Sequence, residues 1–302
     1  MLSIPEASKP AMDDARGETM TLKASGMTDV GCVRRANEDA FFLTSLDGGQ
    51  PWSGTEPVSW GVGQHGVLLA VSDGMGGANA GEVASALSLE KLLEGMRAHP
   101  PDGEDDVDRL RRVIEQASRQ VRAAAKRPDR EGMGATLTAV FVRDGTAFVA
   151  EVGDSRAYLL RQGSICQVTH DQSYVQLLVD AGVMTPEEAE RSPRRNIVLQ
   201  AMGQDTDVVV ALGRLELRRG DRLLLCSDGL SGMLDDAQIC QLASPPMSLD
   251  AACAALVEAA KRAGGTDNIT VILADVDGPG LPPAGEGEVC EAAVETVQEF
   301  KP

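Results

Sequence analysis

Two stretches of this chain end in the same way. The first reads Val67-Leu68-Leu69-Ala70-Val71-Ser72-Asp73-Gly74-Met75-Gly76-Gly77 and the second reads Arg222-Leu223-Leu224-Leu225-Cys226-Ser227-Asp228-Gly229-Leu230-Ser231-Gly232. Each is a short apolar run followed by Ser-Asp-Gly, and such a run bounded by turn residues is typical of a strand buried on both faces. Four other Asp-Gly pairs in the chain have the ordinary appearance of turns. We therefore expect Asp73 and Asp228 each to emerge at the end of a buried strand, where a carboxylate is held on a rigid support.

Composition limits the class of protein. The chain has 302 residues and a formal net charge of −18, a length that suits one large domain or two small ones. Lys and Arg form no long basic stripe, which argues against nucleic acid as a partner. No apolar run has the length of a membrane span, and residues 1–20 lack the apolar core of a secretion signal, so we expect no membrane partner and a cytoplasmic location. The six cysteines include no Cys-x-x-Cys pair, which predicts neither a thiolate metal site nor a redox pair.

The order of predicted elements favours the α+β class. Apolar residues at helical spacing predict helices over 80–96 and 105–126, and Asp144-Gly145 predicts a hairpin between 135 and 152. Antiparallel strands with helices inserted in pairs indicate a layered α+β sandwich rather than a parallel sheet. Residues 48–66 are expected to form a surface loop. We predict flexible tails at 1–20 and at the acidic, Pro- and Gly-rich 277–302, with one domain over 21–276.

One glycine motif matches a nucleotide-binding pattern but stands in the wrong structural context. The segment Gly61-Val62-Gly63-Gln64-His65-Gly66 matches the G-x-G-x-x-G of dinucleotide-binding proteins. In those proteins the motif follows a strand and opens a helix, whose N-terminus meets the pyrophosphate. Here it precedes a predicted strand, so the nucleotide interpretation is disfavoured.

The acidic turns predict a site for a hard cation. Carboxylates stand beside predicted strands at Glu38, Asp39, Asp73, Asp228 and Asp267, and Asp154 interrupts the strand meander. The three histidines are not spaced as a zinc ligand set, and no calcium-binding loop is present. Oxygen ligands of this kind suit Mg²⁺ or Mn²⁺, and two such ions sharing a carboxylate can activate a water toward phosphorus.

A phosphate would also need a cation from the protein. Arg34 or Arg35 precedes the Asn37-Glu38-Asp39 turn, and a guanidinium can bind two phosphate oxygens at once. From spacing alone, a solvent-exposed ion pair with the neighbouring acids is an equally good interpretation.

Taken together and in order, these motifs resemble those of bacterial type 2C metal-dependent serine/threonine phosphatases. The resemblance runs from about residue 21 to 276, and several separate motifs in the correct order are far more specific than any one Asp-Gly. It implies an α+β fold in the form of a four-layer sandwich, with two mostly antiparallel β-sheets flanked by pairs of helices. The motifs that carry it are Arg34-x-x-Asn37-Glu38-Asp39, Asp73-Gly74-Met75-Gly76-Gly77 with Ala80-Gly81-Glu82, Gly134-Ala135-Thr136, Gly153-Asp154-Ser155-Arg156, Ser227-Asp228-Gly229-Leu230 and Asp267-Asn268-Ile269-Thr270-Val271.

The resemblance also implies roles for single residues. Asp73 resembles the carboxylate that bridges two Mn²⁺ or Mg²⁺ ions, and Gly74 the residue whose carbonyl binds one of them. Asp228 and Asp267 resemble ligands of the other ion, and Arg34 the phosphate-binding arginine. Two further sets are expected: Glu38 and Asp39, which contact a metal directly or through water, and Asp154, which with Asp228 holds a weaker third ion. The segment 172–203 resembles the flap beside the active site.

The chain departs from the family pattern at three places. Many relatives have His five residues after the bridging Asp, where this chain has Ala78. That His is a candidate general acid for the leaving oxygen, so the role is unassigned here. The family's Asp-His-Ser reads Asp171-Gln172-Ser173, and its Arg-Ala-Leu-Gly reads Gln200-Ala201-Met202-Gly203. These two changes concern substrate handling more than metal binding.

The expected activity is hydrolysis of phosphoserine and phosphothreonine on proteins by a metal-activated water, as part of bacterial signalling. The substrates would be phosphoproteins, products of a serine/threonine kinase. Two alternatives stay open at this stage. One is a covalent aspartyl-phosphate mechanism, which needs an Asp free of metal. The other is a non-catalytic or weakly active module of the same fold that binds phosphoproteins, suggested by Ala78 and the altered flap.

Overall fold

A computed structural model describes residues 20–76, 80–204, 207–285, 287–288, 290 and 294–301. The strands are β1 (Thr21–Asp29), β2 (Ala40–Ser45), β3 (Val58–Gly61), β4 (Val67–Ser72), β5 (Gly74–Met75), β6 (Gly134–Ala135), β7 (Leu137–Arg143), β8 (Thr146–Val152), β9 (Arg156–Arg161), β10 (Ser164–Gln167), β11 (Ala211–Glu216), β12 (Arg222–Cys226), β13 (Ile269–Asp277) and β14 (Val294–Gln298). The α-helices are α1 (Ala80–Arg97), α2 (Asp106–Ala125), α3 (Tyr174–Asp180), α4 (Pro186–Glu190), α5 (Asp228–Ser231), α6 (Asp236–Ala243) and α7 (Leu249–Arg262), and a short 3₁₀ helix covers Pro128–Arg130.

Two six-stranded antiparallel sheets stack on each other. The first sheet has the order β10-β9-β12-β13-β1-β3, and the second has the order β14-β11-β8-β7-β4-β2. One apolar core lies between the sheets, a second joins the second sheet to α1 and α2, and a third joins the first sheet to α5, α6 and α7. The predicted four-layer α+β sandwich is confirmed.

The two quoted stretches are central strands of different sheets, and both are buried throughout. In β4, Leu69 points into the core between the sheets while Leu68 points toward the helices on the second sheet. In β12, Leu223 and Leu224 divide in the same way between the central core and the helical layer on the first sheet. Because both faces are covered, the pattern is a continuous apolar run rather than an alternation.

Local sequence signals account for the helices and the hairpin. Asp105 caps α2 by accepting a hydrogen bond from the backbone of Asp108, and the chain leaves the helix two residues before Pro128. At the β7–β8 turn, Asp144 and Gly145 have φ angles of 50° and 76°. Both central residues of such a tight hairpin turn need positive φ, so the Asp-Gly prediction is confirmed.

The expected loop at 48–66 is wrong for residues 58–61. Val58–Gly61 forms β3 and pairs with β1, burying Trp60. This strand is short and lies between Gly-, Pro- and Ser-rich residues, so its alternation is hard to detect in sequence. The glycine motif that begins at Gly61 connects β3 to β4 and opens no helix. It therefore lacks the structural context of a dinucleotide-binding site.

The predicted flexible, solvated tail after residue 276 is also wrong in part. β14 pairs with β11 and extends the second sheet, and Leu281 and Cys290 are buried. Glu288 accepts hydrogen bonds from Arg161 and Arg218. This acidic residue of the tail thus neutralises a buried guanidinium instead of facing water. Composition could not reveal this partner, because Arg161 is more than a hundred residues away in the chain. The tail expected at 1–20 lies outside the described residues up to position 19, and the predicted domain boundaries stay predictions.

Among the described helices, none is both long and apolar enough to cross a membrane.

Candidate active site and metal centre

Acidic residues from both sheets meet at one edge of the sandwich. Asp73 follows β4 of the second sheet, and Asp228 follows β12 of the first sheet and begins α5. Between them lies a cavity of about 290 Å³. Its lining includes seven of the predicted site residues, namely Arg34, Glu38, Asp73, Gly74, Asp154, Asp228 and Asp267, together with Met75, Gly76, Thr136, Asn196 and Val198.

The eighth predicted residue, Asp39, lies behind this cavity and is only 8% exposed. Its Oδ2 accepts hydrogen bonds from the hydroxyls of Ser227 and Thr270, both at 2.7 Å. Its Oδ1 is buried and has no hydrogen-bond partner among the described residues. Burial raises the pKa of Asp39 to about 7, against the hydrogen bonds, and repulsion from Asp228 and Asp267 adds to the rise.

The carboxylates of the cavity are crowded and poorly solvated. Burial raises the pKa of Asp73 well above its usual value, and the neighbouring carboxylates raise it further. For the same two reasons the pKa of Asp228 rises to about 6, and that of Asp154 rises strongly. Buried acids that repel one another are the electrostatic pattern that a divalent cation relieves.

The residues present fit a divalent metal. Asp228 Oδ1, like Asp39 Oδ1, is a buried carboxylate oxygen without a hydrogen-bond partner in the described part of the chain. No three His, Cys, Asp or Glu side chains of the described ranges converge as a single ligand group. The carboxylates would therefore draw closer together around an ion, and backbone carbonyls and water would complete its shell, as Mg²⁺ and Mn²⁺ prefer and zinc does not.

The backbone at Gly74 has no room for a side chain. A Cβ built there would lie 2.1 Å from the Gly81 carbonyl oxygen and 2.6 Å from that of Glu38. The Gly74 amide also donates to the Glu38 carbonyl. This packing brings the start of α1, the turn after β4 and the turn before β2 into contact, so a glycine is required for steric reasons.

Asn268 organises the loop that carries Arg34. Its Oδ1 accepts from the Glu38 amide at 2.8 Å, and its Nδ2 donates to the carbonyls of Val30 and Ala36 at 3.0 and 2.9 Å. Arg34 pairs with Asp267 at 2.6 Å and its side chain is 49% exposed. The hydrogen bond to Asp267 raises the pKa of Arg34. The half-exposed guanidinium thus lines the cavity while it is bound to Asp267.

Four positions contribute more than the sequence indicated. Thr136 accepts the Asp73 amide at its hydroxyl and so positions the end of β4, while Ser227 and Thr270 orient Asp39. Asn196 lines the cavity from the predicted flap, which also contains α3 and α4. Thr136, Ser227 and Thr270 stand inside the quoted motifs, but only their contacts reveal what they do. Asn196 lies in no motif, and no sequence signal identified it. Ala78 lies outside the described residues.

Comparison with known proteins agrees with this geometry. The family model described as protein phosphatase 2C matches residues 57–273. The chain belongs to the protein phosphatase 2C family. It is 38% identical over 262 residues to the serine/threonine protein phosphatase PstP of Mycobacterium tuberculosis, covering 85% of this chain and 46% of PstP. It thus spans about half the length of that relative.

Other family members match over nearly their whole length. The serine/threonine phosphatase stp of Listeria welshimeri is 33% identical, with 84% of this chain and 96% of that protein covered. The crystal structure of the PstP catalytic domain in complex with two manganese ions is similar at a TM-score of 0.71 and 37% identity, covering 86% of this chain and all of that one. A Streptococcus agalactiae serine/threonine phosphatase structure has a TM-score of 0.74 and 33% identity, with 85% of this chain and all of that one covered.

Proposed function

We propose that this chain is a metal-dependent protein phosphatase that hydrolyses phosphoserine and phosphothreonine on proteins. The observation that carries the proposal is the meeting of Asp73, Asp228, Asp267 and Arg34 around one cavity, in a chain of the protein phosphatase 2C family. The Listeria welshimeri relative, matched over 96% of its length, is named a serine/threonine phosphatase. Two manganese ions in the PstP catalytic domain support a two-metal centre of Mn²⁺ or Mg²⁺ here.

Each site residue is assigned a distinct task. Asp73, with the Gly74 carbonyl, would hold both ions, and Asp228 and Asp267 would bind the second. Glu38 and Asp39 would contact a metal directly or through water, and Asp154 with Asp228 would hold a weaker third ion. When bound, the ions supply positive charge and lower the pKa of water.

The remaining tasks fall to Arg34 and the flap. Arg34 would leave Asp267 and bind two phosphate oxygens, which fixes the phosphoryl group in line for attack. Asn196 and Val198 would bound the substrate from the flap side. No general acid is assigned, because His65 and His170 pair with Asp47 and Asp180 and line no part of the metal cavity in the described residues. A partner kinase and a cytoplasmic location belong to the proposal as well.

The most informative experiment measures hydrolysis of p-nitrophenyl phosphate and of a phosphothreonine peptide with added Mn²⁺, for the unmodified chain and for Asp73→Ala. We expect metal-dependent turnover that Asp73→Ala abolishes. Absence of turnover in the unmodified, folded chain would favour the phosphoprotein-binding module instead. The stereochemical course at phosphorus of a chiral phosphate ester tests the mechanism, because one direct attack by water inverts phosphorus whereas an aspartyl-phosphate intermediate gives net retention.

A further inference from the structure

A second cavity lies away from the metal centre. It has a volume of about 530 Å³ and is enclosed by β8, β11, the segment containing β14, and α3 of the flap. It shares none of its lining residues with the metal cavity, whose volume is about 290 Å³. A volume of this size is within the range of small-molecule sites, about 300–1,000 Å³.

One buried carboxylate in this cavity lacks a partner. Glu151, on β8, lines the cavity and is 1% exposed. Its Oε2 accepts from the His170 amide at 3.1 Å, but its Oε1 has no hydrogen-bond partner within the described ranges. Burial, and after it repulsion from Asp171, raises the pKa of Glu151 well above its usual value. A cationic donor at the unpartnered oxygen would oppose that shift and stabilise the ionised carboxylate.

The nearby cations are already paired with other acids. Arg156 donates to both oxygens of Asp171, with contacts of 2.7 to 3.1 Å. The His170 ring is bound to Asp180, and Lys301 is bound to Glu299. None of these cations donates to Glu151 Oε1, so this oxygen is available to a donor from a ligand.

The rest of the lining indicates the chemistry of that donor. Apolar side chains form much of the wall, among them Val149, Leu177, Leu199 and Phe300. We propose that this cavity is a binding site for a small organic cation, an amine or guanidine with an apolar body, whose N–H groups donate to Glu151 Oε1. The apolar body replaces water along the walls, and the charged head donates to the unpartnered Oε1 of Glu151.

A ligand in this cavity is in a position to affect the catalytic centre through Gln172. That side chain lines the cavity, accepts from the Gly153 amide at 2.7 Å and donates to the Glu151 carbonyl at 3.2 Å. Gly153 directly precedes Asp154, which lines the metal cavity. Binding next to Gln172 thus acts on the turn that positions Asp154.

The test uses benzylamine and n-butylguanidine as probes and benzyl alcohol as the uncharged control. Binding to the 302-residue chain is followed by saturation-transfer NMR and by calorimetry, both with the diamagnetic Mg²⁺ present. We expect saturable binding of both cations and much weaker binding of the alcohol. Glu151→Gln removes the charge with little change of shape, and we expect it to weaken cation binding by about tenfold to a hundredfold, as for a charged hydrogen bond.

Two further variants keep the result decisive. Leu177→Trp fills the cavity from α3 without touching Glu151, and we expect it to abolish binding of both cations. Glu295→Gln removes an exposed carboxylate from the neighbouring strand and is expected to change affinity less than about twofold. The proposal is wrong if neither cation binds saturably, if the alcohol binds as well as the amine, or if folded Glu151→Gln and Leu177→Trp bind the cations like the unmodified chain.

Discussion

Removal of the Ser227 hydroxyl is expected to weaken metal binding without removing any proposed ligand. Ser227 is fully buried and donates to Asp39 Oδ2 at 2.7 Å, leaving Asp39 Oδ1 free to face a cation. Thr270 donates to the same Oδ2, so Ser227→Ala removes one of two supports. The Asp39 carboxylate then turns more freely, and metal binding must restrict that motion, which lowers the affinity for the metal.

The size of the effect on metal binding follows from the lost bond to Asp39. The Ser227 hydroxyl also accepts from the Thr270 amide at 3.0 Å, and losing that bond lowers stability. A hydrogen bond to a charged acceptor contributes about 1.5–3 kcal/mol, which corresponds to about tenfold to a hundredfold in affinity. We expect the Mn²⁺ concentration for half-maximal hydrolysis of p-nitrophenyl phosphate to rise by that factor, and the melting temperature to gain less from added Mn²⁺. Activity at saturating metal should recover most of its original value.

Ser88→Ala is the matched control. Ser88 is equally buried, but its hydroxyl donates only to the Ala84 carbonyl within α1. It should leave the half-maximal Mn²⁺ concentration unchanged. If folded Ser227→Ala requires no more Mn²⁺ than the unmodified chain, the proposed role of Asp39 in metal binding is refuted.

Five other substitutions, grouped in three tests, address the site and the fold. Asp73→Asn should abolish activity at any Mn²⁺ concentration while Asp228→Asn is partly rescued by more metal, and equal rescue of both in a metal titration would contradict the bridging role of Asp73. Gly74→Ala should lose activity and about 1–3 kcal/mol of stability, because its Cβ would lie 2.1 Å from the Gly81 carbonyl oxygen. Urea unfolding like that of the unmodified chain, together with full activity, would show that this clash does not occur. Asp221→Asn breaks the pair with Arg161, both side chains being 1% exposed, and should cost about 3–5 kcal/mol in urea unfolding. Glu295→Gln at the exposed Arg214 pair should cost about 0–1 kcal/mol. If Asp221→Asn and Glu295→Gln lowered the free energy of unfolding equally, burial of the Arg161 pair would not explain its cost.

Much of the layered fold could be predicted because its decisive signals are local. The run from Val67 to Ser72 needs no distant partner to be recognised as a buried strand, and α1 and α2 show their apolar faces within a few turns. β3 and β14 could not be found in this way. Each is short, and each pairs with a single strand, β1 or β11, whose sequence position gives no hint of the pairing.

The site likewise contains residues that local sequence could identify and contacts that it could not. Seven of the eight predicted residues line one cavity, because motifs at strand ends lie at the same edge of the sandwich. The environment of Asp39 could not be predicted, since Ser227 and Thr270 reach it from the other sheet across almost two hundred residues or more. The pairing of Arg34 with Asp267 was equally hidden, because the acids next to Arg34 in sequence are not the ones it contacts.

The distance between the two proposed metal-binding arms depends on the interior of the protein. Asp73 extends from one sheet and Asp228 from the other, so their spacing is set by how closely the sheets stack over side chains such as Leu69 and Leu225. A smaller or larger residue at those positions changes the gap without altering a single ligand. Because Mg²⁺ and Mn²⁺ differ in how strictly they demand their geometry, the choice of ion is open to adjustment from residues that never meet metal or substrate.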